Sequence, residues 1–251
     1  MPRKPLLVLL IVVILTMSSC SSKEKPVLKI GMNVEFPPFG YIVDGAYAGI
    51  DVDLSHKIAE KMGHPYKIIN IEFENMIAAI NSGKVDFAIS AMSITEERSR
   101  ILEFSQPYFQ VDQSIIVLED TPISIENEYE IGSYKVGVQN STTSQTWVQE
   151  ELRLKNLIDN DNIFTFANNT EAIEALVSGE IDLVVIDDSA ARGFAQNYPI
   201  STVYRIVTGE EYGIAMPKNG EYNAKIKAAL EDLIISGELS SILQTHGYTN
   251  R

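Results

Sequence analysis

The sequence predicts an α/β protein made of two similar α/β lobes that are joined by a strand hinge. The first observation is a duplicated segment: Ile77–Ile89 (IAAINSGKVDFAI) and Ile173–Val185 (IEALVSGEIDLVV) align without a gap, 96 residues apart (173 − 77). In each copy, apolar residues at helical spacing end at a glycine, and a short apolar strand follows. No Pro-, Gly- or Ser-rich linker interrupts the chain, so strands must join the lobes.

Helix, glycine and buried strand form a common unit, so two copies could arise by chance. The shared run Ser-Gly-x-(Val/Ile)-Asp makes duplication the better interpretation. The glycine, Gly83 or Gly179, stands where a helix stops, and Asp86 or Asp182 stands near the start of the strand. We therefore expect one copy in each lobe.

Hydrophobic periodicity predicts the remaining elements. The predicted strands are Leu28–Val34, Tyr66–Ile71, Val85–Ile89, Ser114–Leu118, Lys135–Val138 and Gly213–Met216. The predicted helices are Asp51–Met62, a helix from the hydroxyl-rich turn Asn140–Thr146 through Leu154, and Asn223–Ser236.

The N-terminus has the pattern of a secretory signal. Arg3 and Lys4 precede the apolar run Leu6–Leu15, and small residues lead to Cys20. The run is too short for a membrane span, which needs about 20 apolar residues. The segment resembles the lipobox of bacterial lipoproteins, in which the cysteine is lipidated and becomes the mature N-terminus. The alternative is a plain secretory signal with an incidental cysteine.

We divide the chain on this basis. Residues 1–20 are a lipoprotein signal, 21–26 a tether, 27–111 with 208–251 the first lobe, and 112–207 the second. Cys20 is the only cysteine, so the exported fold has no disulfide. Removing Arg3 and Lys4 changes the net charge from −14 to −16 (−14 − 2), which argues against nucleic acid as a partner. We expect a monomer, held by its lipid on a membrane and facing the periplasm or the cell exterior.

The stretch Val85–Arg98 (VDFAISAMSITEER) gathers groups that suit an anion. An apolar strand ends at Ser90, hydroxyls follow at Ser93 and Thr95, and a helix start carries one guanidinium. Helix N-termini are partly positive and arginine offers a bidentate fork, so these groups fit a carboxylate. The alternative is ordinary helix capping by Thr95, with Arg98 facing water.

Ligands of open α/β sheets bind beyond the carboxyl ends of strands. Four such ends are predicted, at Asn33–Phe36, Ser90–Ser93, Gln139–Thr143 and Ile186–Asp188. The duplication thus places hydroxyls in one lobe and the carboxylates Asp187 and Asp188 in the other. An anion-binding group that faces a cation-binding group across a cleft complements a zwitterion.

Taken together, these motifs resemble the amino-acid-binding proteins of bacterial ABC importers, which are extracellular solute-binding proteins with the class II periplasmic binding protein fold. The resemblance covers residues 27–248, and the order and spacing of its motifs are specific. Its carriers are FPPFGY (Phe36–Tyr41), AGIDVDL (Ala48–Leu54), FENMIAAINSGKVD (Phe73–Asp86), SAMSITEER (Ser90–Arg98), EFSQPYF (Glu103–Phe109), VGVQNSTT (Val136–Thr143), SGEIDLVVID (Ser178–Asp187) and YGIAMPKN (Tyr212–Asn219).

The resemblance implies a clamp for the two charged groups of an amino acid. Arg98 matches the arginine that holds the α-carboxylate, with the backbone N–H and hydroxyl of Ser93 beside it. Thr142 and Thr143 match a second-lobe turn that donates N–H groups to the same carboxylate.

The α-ammonium and the side chain have their own implied partners. The backbone carbonyl of Ala91 and the carboxylate of Asp187 match positions that receive the α-ammonium. Phe36 and Phe73 match an aromatic pair that sandwiches the ligand side chain, although two core phenylalanines would be the simpler interpretation without the resemblance. The candidate set also includes the neighbours of Ala91, namely Ser90 and Met92.

The resemblance is ambiguous at the side-chain end of the site. Asn33 stands where several binders of basic amino acids have an aspartate, while Glu35, Asp51 and Gln139 remain candidates to face a guanidinium or an amide. Gln139 is the residue type of arginine-preferring relatives, whereas glutamine-preferring relatives tend to have a lysine there. We expect a basic amino acid, arginine first, with glutamine next.

The sequence therefore predicts a lipid-anchored binding protein that delivers an amino acid to an ABC permease, and not an enzyme. No cofactor and no metal site is expected. Two alternatives stay open: a periplasmic enzyme on the same fold, similar to cyclohexadienyl dehydratase, and a sensory binding protein. The carboxylates Glu35, Asp51 and Asp188 would be the acid–base candidates of an enzyme, but none has a recognisable catalytic neighbour.

Overall fold

The structure, a computed structural model, describes residues 25–249. The predicted signal peptide, the lipidation site Cys20 and residues 21–24 of the tether lie outside the described residues. Across residues 25–249, no helix has the length and apolar character needed to cross a bilayer.

Twelve strands and eight α-helices make up the described fold. The strands are β1 (Leu28–Met32), β2 (Tyr41–Val43), β3 (Ala46–Ala48), β4 (Tyr66–Asn70), β5 (Phe87–Ala88), β6 (Leu102–Phe104), β7 (Phe109–Leu118), β8 (Val136–Gln139), β9 (Ile163–Phe166), β10 (Leu183–Asp187), β11 (Ile200–Tyr212) and β12 (Ala215–Pro217). The helices are α1 (Ile50–Met62), α2 (Met76–Asn81), α3 (Glu96–Ile101), α4 (Thr143–Trp147), α5 (Asn169–Ser178), α6 (Asp188–Phe194), α7 (Asn223–Ile235) and α8 (Glu238–Thr245).

Two five-stranded sheets confirm the predicted two-lobe α/β fold. Their strand orders are β4-β1-β5-β12-β6 and β11-β7-β10-β8-β9. Each contains one run of three parallel strands, β4-β1-β5 in the first and β9-β8-β10 in the second. The duplicated segment supplies α2 with β5 in one sheet and α5 with β10 in the other. Its two glycines end these helical segments in the left-handed region, with φ of +72° at Gly83 and +77° at Gly179.

The duplicated aspartates have the same structural role in both lobes. The Lys29 N–H donates to Asp86 Oδ2 at 2.7 Å, and the Lys135 N–H donates to Asp182 Oδ2 at 2.8 Å. The aspartate N–H groups return the bond to the carbonyls of the same lysines, at 2.8 Å and 3.0 Å. Each aspartate therefore fixes the start of its own strand against the neighbouring parallel strand, β1 in the first sheet and β8 in the second.

Strands β7 and β11 connect the two lobes as an antiparallel pair. Their outer residues Phe109 and Tyr212 lie in the core of the first lobe, whereas Ile115 and Ile206 lie in the core of the second. The predicted strand Ser114–Leu118 is thus the second-lobe half of a longer strand. Both proposed lobe boundaries, 111/112 and 207/208, fall inside this pair.

A bulge interrupts the pairing of the two hinge strands between Ile206 and Glu210. One carboxylate organises it, because Asp112 Oδ1 accepts from the N–H groups of Thr208 at 3.0 Å and Gly209 at 2.8 Å. Gly209 adopts φ of +62°, a conformation that suits glycine. The hinge is therefore a defined backbone structure and not a flexible linker.

Two predicted elements differ from the structure in extent. The predicted helix through Leu154 is a short α4 followed by a π-helical turn, Val148–Arg153, in which the Leu154 N–H bonds five residues back to the Gln149 carbonyl at 2.9 Å. The apolar run Val85–Ile89 contains only the two-residue strand β5, although the Ile89 N–H still bonds the Gly31 carbonyl at 3.1 Å.

The lobes touch where the loop after β1 meets α6. Phe36 packs against the core of the first lobe and also against the cluster that holds α6 residues of the second. At Gly193 of α6, an added Cβ would lie 2.5 Å from the Pro37 carbonyl oxygen. The absence of a side chain at Gly193 thus allows the close approach of the two lobes.

Replacing Asp86 with alanine should lower the free energy of unfolding by about 1–3 kcal/mol, since the Lys29 N–H loses a charged acceptor. Urea denaturation followed by circular dichroism measures the change. Asp86→Asn keeps one carbonyl acceptor and is the matched control, expected to lose less than half as much. Equal losses in both variants would show that the charge, and not the hydrogen bond, matters.

Candidate functional site

One cavity lies between the lobes, at the carboxyl ends of β1, β5, β8 and β10. Eleven of the fourteen predicted site residues line it: Asn33, Phe36, Phe73, Ser90, Ala91, Ser93, Arg98, Gln139, Thr142, Thr143 and Asp187. Ile186, from the predicted strand end Ile186–Asp188, also lines it, as do Ser144 and Asn169, which the sequence did not single out. The predicted candidates Glu35, Asp51 and Met92 are not among the lining residues.

Arg98 is held at the cavity by both lobes. Its backbone N–H is capped by Thr95 Oγ1 at 3.2 Å, so the capping interpretation is right for the backbone of α3. Its side chain does not face water: Nη1 donates to the Ser93 carbonyl at 2.9 Å, and Nη2 donates to the Ser141 carbonyl of the second lobe at 2.9 Å. The guanidinium lies 5.4 Å from the centre of the Phe73 ring.

The charge of Arg98 is buried without a carboxylate partner. Its relative exposure is 8 %, and among the described residues no Asp or Glu lies within 4 Å of its guanidinium. Burial lowers the pKa of Arg98, while Glu210 and Asp187 oppose that shift. Because an arginine pKa starts above 12, the group stays charged. A buried cation in this state favours an anion in the cavity.

Asp187 supplies the opposite charge from the second lobe. Gln113 Nε2 donates to its Oδ1 at 2.5 Å, and the Tyr212 hydroxyl donates to its Oδ2. The pKa of Asp187 is raised to about 7, chiefly by burial and then by nearby Glu210, although the hydrogen bonds from Tyr212 and Gln113 act in the opposite direction. Among the described residues, no Lys, Arg or His forms an ion pair with Asp187.

Gln113, which sequence reasoning missed, connects the hinge to the cavity wall. This fully buried β7 residue also contacts Glu210 Oε1 at 3.0 Å and Thr143 Oγ1 at 3.3 Å through Nε2. The side-chain oxygen of Gln113, Oε1, accepts from Ser144 Oγ at 2.6 Å. Its neighbours Asp112 and Ser114 are also polar, so no local pattern marks Gln113 as buried. Its burial is what requires these bonds, because buried amides are nearly always hydrogen-bonded.

Asp51 does not face the cavity, which corrects its place among the candidates for the ligand side chain. It is fully buried behind Ala91, where Oδ2 accepts from the Ala91 N–H at 2.8 Å and Oδ1 accepts from the Tyr108 hydroxyl at 2.9 Å. Ala91 has φ of +45°, which is unusual for a residue with a Cβ. Asp51 therefore holds the peptide of Ala91 in the geometry that lines the cavity.

Met92 and Glu35 also lie away from the cavity wall. Met92 is buried in the core cluster beneath β5 and β12, as its apolar side chain requires. Glu35 is half-buried, and its Oε2 has no partner among the described residues. Burial raises the pKa of Glu35, and the carboxylates of Glu72 and Glu171 raise it further.

Amide side chains form the remaining polar part of the wall. The Asn33 N–H donates to Ser90 Oγ at 3.0 Å, which joins the ends of β1 and β5. Gln139 Oε1 accepts from Asn169 Nδ2 at 2.6 Å, and Gln139 Nε2 donates to the Ala167 carbonyl at 3.2 Å. Asn169 was missed because an asparagine at a helix start is an ordinary capping signal.

Comparisons with known proteins agree with this geometry. The profile that describes bacterial extracellular solute-binding proteins, family 3, matches residues 28–249. A probable histidine-binding protein of Campylobacter jejuni is 30 % identical over 194 residues, which cover 76 % of this chain and 73 % of that protein.

Two solved structures are similar over most of both chains. The arginine-, lysine-, histidine-binding protein ArtJ of Geobacillus stearothermophilus superposes with a TM-score of 0.81 at 30 % identity, covering 90 % of this chain and 97 % of its own. An ancestral arginine-binding protein bound to glutamine superposes with a TM-score of 0.80 at 35 % identity, covering 88 % and 97 %.

Asp51 should make folding stability depend on pH. Its pKa is about 7 in the native state, against an ordinary value of 3.8. Between these values the native protein holds a proton that the unfolded chain has released, so the free energy of unfolding falls as pH rises from about 4 to about 7. Asp51→Asn should remove up to about 1.4 kcal/mol per pH unit of this slope.

Urea denaturation at several pH values tests the effect. Asp187 contributes a slope of the same sign, so the difference between wild type and variant is the relevant quantity. Asp44→Asn, on the exposed turn between β2 and β3, is the control and should leave the slope unchanged. If the free energy of unfolding of Asp51→Asn fell with pH as steeply as that of the wild type, Asp51 would not be the group that takes up the proton.

Proposed function

Because the chain belongs to the bacterial extracellular solute-binding proteins of family 3, we propose that it captures a polar amino acid and delivers it to the permease of an ABC importer. Family membership also confirms the expectation of a binding protein rather than an enzyme. One observation carries the proposal: a buried guanidinium and a buried carboxylate line the same cavity, and neither is paired with an opposite charge among the described residues.

The α-carboxylate of the ligand would bind Arg98. Two of the five N–H groups of a guanidinium are used by the Ser93 and Ser141 carbonyls, so donors remain for a carboxylate. Ser93, Thr142 and Thr143 line the same cavity and would add N–H or hydroxyl donors. Charge-assisted hydrogen bonds of this kind are about twice as strong as neutral ones.

The α-ammonium would bind Asp187 and the backbone carbonyl of Ala91. Gln113 and Tyr212 already orient the carboxylate, and Asp51 fixes the peptide of Ala91. An ammonium group beside Asp187 would replace the water that burial removes and would stabilise the ionised form. The bound amino acid would therefore contact both lobes and neutralise the charges of Arg98 and Asp187.

For the side chain of the ligand we propose a basic amino acid, arginine first, with glutamine next. The names of similar proteins support arginine, since they include an arginine-binding protein of Pseudomonas aeruginosa and ArtJ, and a glutamine-binding protein of Geobacillus stearothermophilus supports glutamine. Phe36 and Phe73 flank the cavity and offer flat surfaces for a guanidinium or an amide.

Closure about β7 and β11 would couple binding to transport. Arg98 reaches the Ser141 carbonyl, and Asp187 accepts from Tyr212, so the described lobe arrangement is the one that a bridging ligand would stabilise. We propose residues 27–111 with 208–251 and residues 112–207 as the moving units. Lipidation at Cys20 would keep this monomer on the membrane surface beside the permease, exposed to the periplasm or the cell exterior.

A thermal-shift screen of the exported domain against the twenty amino acids should show stabilisation by arginine and, more weakly, glutamine. A ligand at 100 times its dissociation constant adds about 2.7 kcal/mol. Arg98→Ala should then weaken binding about thirtyfold or more by calorimetry, because truncating one partner of a buried charge pair costs about 2–5 kcal/mol.

Arg100→Ala is the matched control for Arg98. Arg100 lies on the same helix, is exposed and pairs only with Glu96 at 2.6 Å among the described residues, so its removal should leave affinity unchanged. No stabilisation of the wild type by any amino acid would exclude the proposed function. Equal affinity in Arg98→Ala and wild type would exclude Arg98 as a ligand contact.

Binding should weaken as pH falls below about 7. The pKa of Asp187 is about 7 without ligand, and an ammonium group beside the carboxylate would lower it, so binding at lower pH must release a proton. The arginine dissociation constant should rise by up to about tenfold per pH unit below 7 in calorimetry. Asp187→Asn should bind more weakly and show a flatter profile; an unchanged profile would contradict the assignment.

A further inference from the structure

Three amide side chains from both lobes line the cavity, and we assign them to the end that would take the ligand side chain. Asn33, Gln139 and Asn169 have relative exposures of 4 %, 3 % and 3 %, so all three are more than nine-tenths buried. Asp187 is the only carboxylate, and Arg98 the only cation, among the lining residues. Selectivity at this end must therefore depend on the orientation of neutral amide dipoles.

The orientation of Gln139 is fixed by its own hydrogen bonds. Its Nε2 donates to the Ala167 carbonyl at 3.2 Å, and its Oε1 accepts from Asn169 Nδ2 at 2.6 Å. Because the backbone carbonyl can only accept, the amide of Gln139 cannot turn round without placing two oxygens together. Gln139 thus presents its oxygen to Asn169.

This arrangement in turn fixes Asn169. Since Nδ2 points to Gln139, Oδ1 lies on the other side of the amide, and it has no hydrogen-bond partner among the described residues. The side chain lines the cavity, so Oδ1 is an acceptor available to a ligand. The side chain of Asn33, across the cleft in the first lobe, likewise lines the cavity and has no partner among the described residues.

We infer that Asn169 is a specificity-determining residue, oriented by Gln139, which selects ligand side chains that end in N–H donors. The inference deepens the proposed function and rests on it. A guanidinium or a carboxamide can donate to Oδ1 of Asn169 and satisfies a buried acceptor. A thioether or alkyl side chain of similar length leaves that acceptor unpaired, and a carboxylate places an oxygen against it.

Asn169→Leu tests the role directly. Calorimetry should measure the affinities for arginine, glutamine and methionine, because methionine has nearly the length of glutamine but no N–H donor in its side chain. Both the arginine-to-methionine and the glutamine-to-methionine affinity ratios should fall about tenfold or more. Asn169→Ser, with a smaller polar group at the same helix position, guards against misfolding of the leucine variant, and it should lower the same ratios.

Gln139→Leu and the double variant test the orientation. If Gln139 acts through Asn169, Gln139→Leu lowers the same ratios, and the double variant lowers them by less than the product of the two single effects. Loss of selectivity in Gln139→Leu with none in either Asn169 variant would overturn the inference, because Gln139 itself would then be the contact. Unchanged ratios in all variants would overturn it as well.

The outcome is separable from that of the proposed function. A wild type that binds none of the three amino acids contradicts the proposed function. A wild type that binds arginine, with loss in Arg98→Ala but unchanged ratios in the Asn169 variants, contradicts only the role of Asn169.

Discussion

The buried guanidinium of Arg98 is the constraint on which the site depends. Its two hydrogen bonds to protein go to backbone carbonyls, one from each lobe, and no carboxylate neutralises it among the described residues. Neutral carbonyls orient a guanidinium but do not cancel its charge, so the electrostatic cost of burial remains until an anion enters the cavity. The same side chain therefore holds the lobes together and requires a ligand between them.

Asp187, on the second-lobe wall of the cavity, is likewise a buried charge whose hydrogen bonds come from neutral groups. Its hydrogen bonds come from hinge residues, Gln113 on β7 and Tyr212 on β11, so the orientation of the carboxylate follows the geometry of the hinge strands. Neutral donors again fix position without supplying the opposite charge. A zwitterion neutralises the buried charges of both Arg98 and Asp187, whereas a simple anion or cation neutralises only one of them. The separation of the two charges onto two lobes thus favours a ligand that carries both.

Much of this structure could be predicted from local patterns. Gly83 and Gly179 end the helices of the duplicated segment, and the ends of the buried strands carry the side chains that meet in the cavity. These features depend on hydrophobic period, on helix stops and on the rule that parallel strands end at one edge.

The remaining features depend on contacts between residues far apart in the chain. Asp51 lies 40 positions from the peptide it holds, and Gln113 lies 74 positions from Asp187. Asn169 meets Gln139 only because β8 and α5 come together in the second lobe. No local signal distinguishes a carboxylate that faces a ligand from one that faces a backbone N–H, so Asp51 was placed among the former.

The contact at Gly193 has a consequence for engineering this molecule. Alanine in place of a helical glycine commonly adds about 1 kcal/mol of helix stability, so Gly193 would attract a designer who seeks a higher melting temperature. Here the added methyl would lie 2.5 Å from the Pro37 carbonyl oxygen whenever the lobes meet. The variant would have a more stable helix α6, but its two lobes would no longer pack closely at Gly193 and Pro37. Selection by heat resistance alone would then enrich for molecules that hold their ligand poorly.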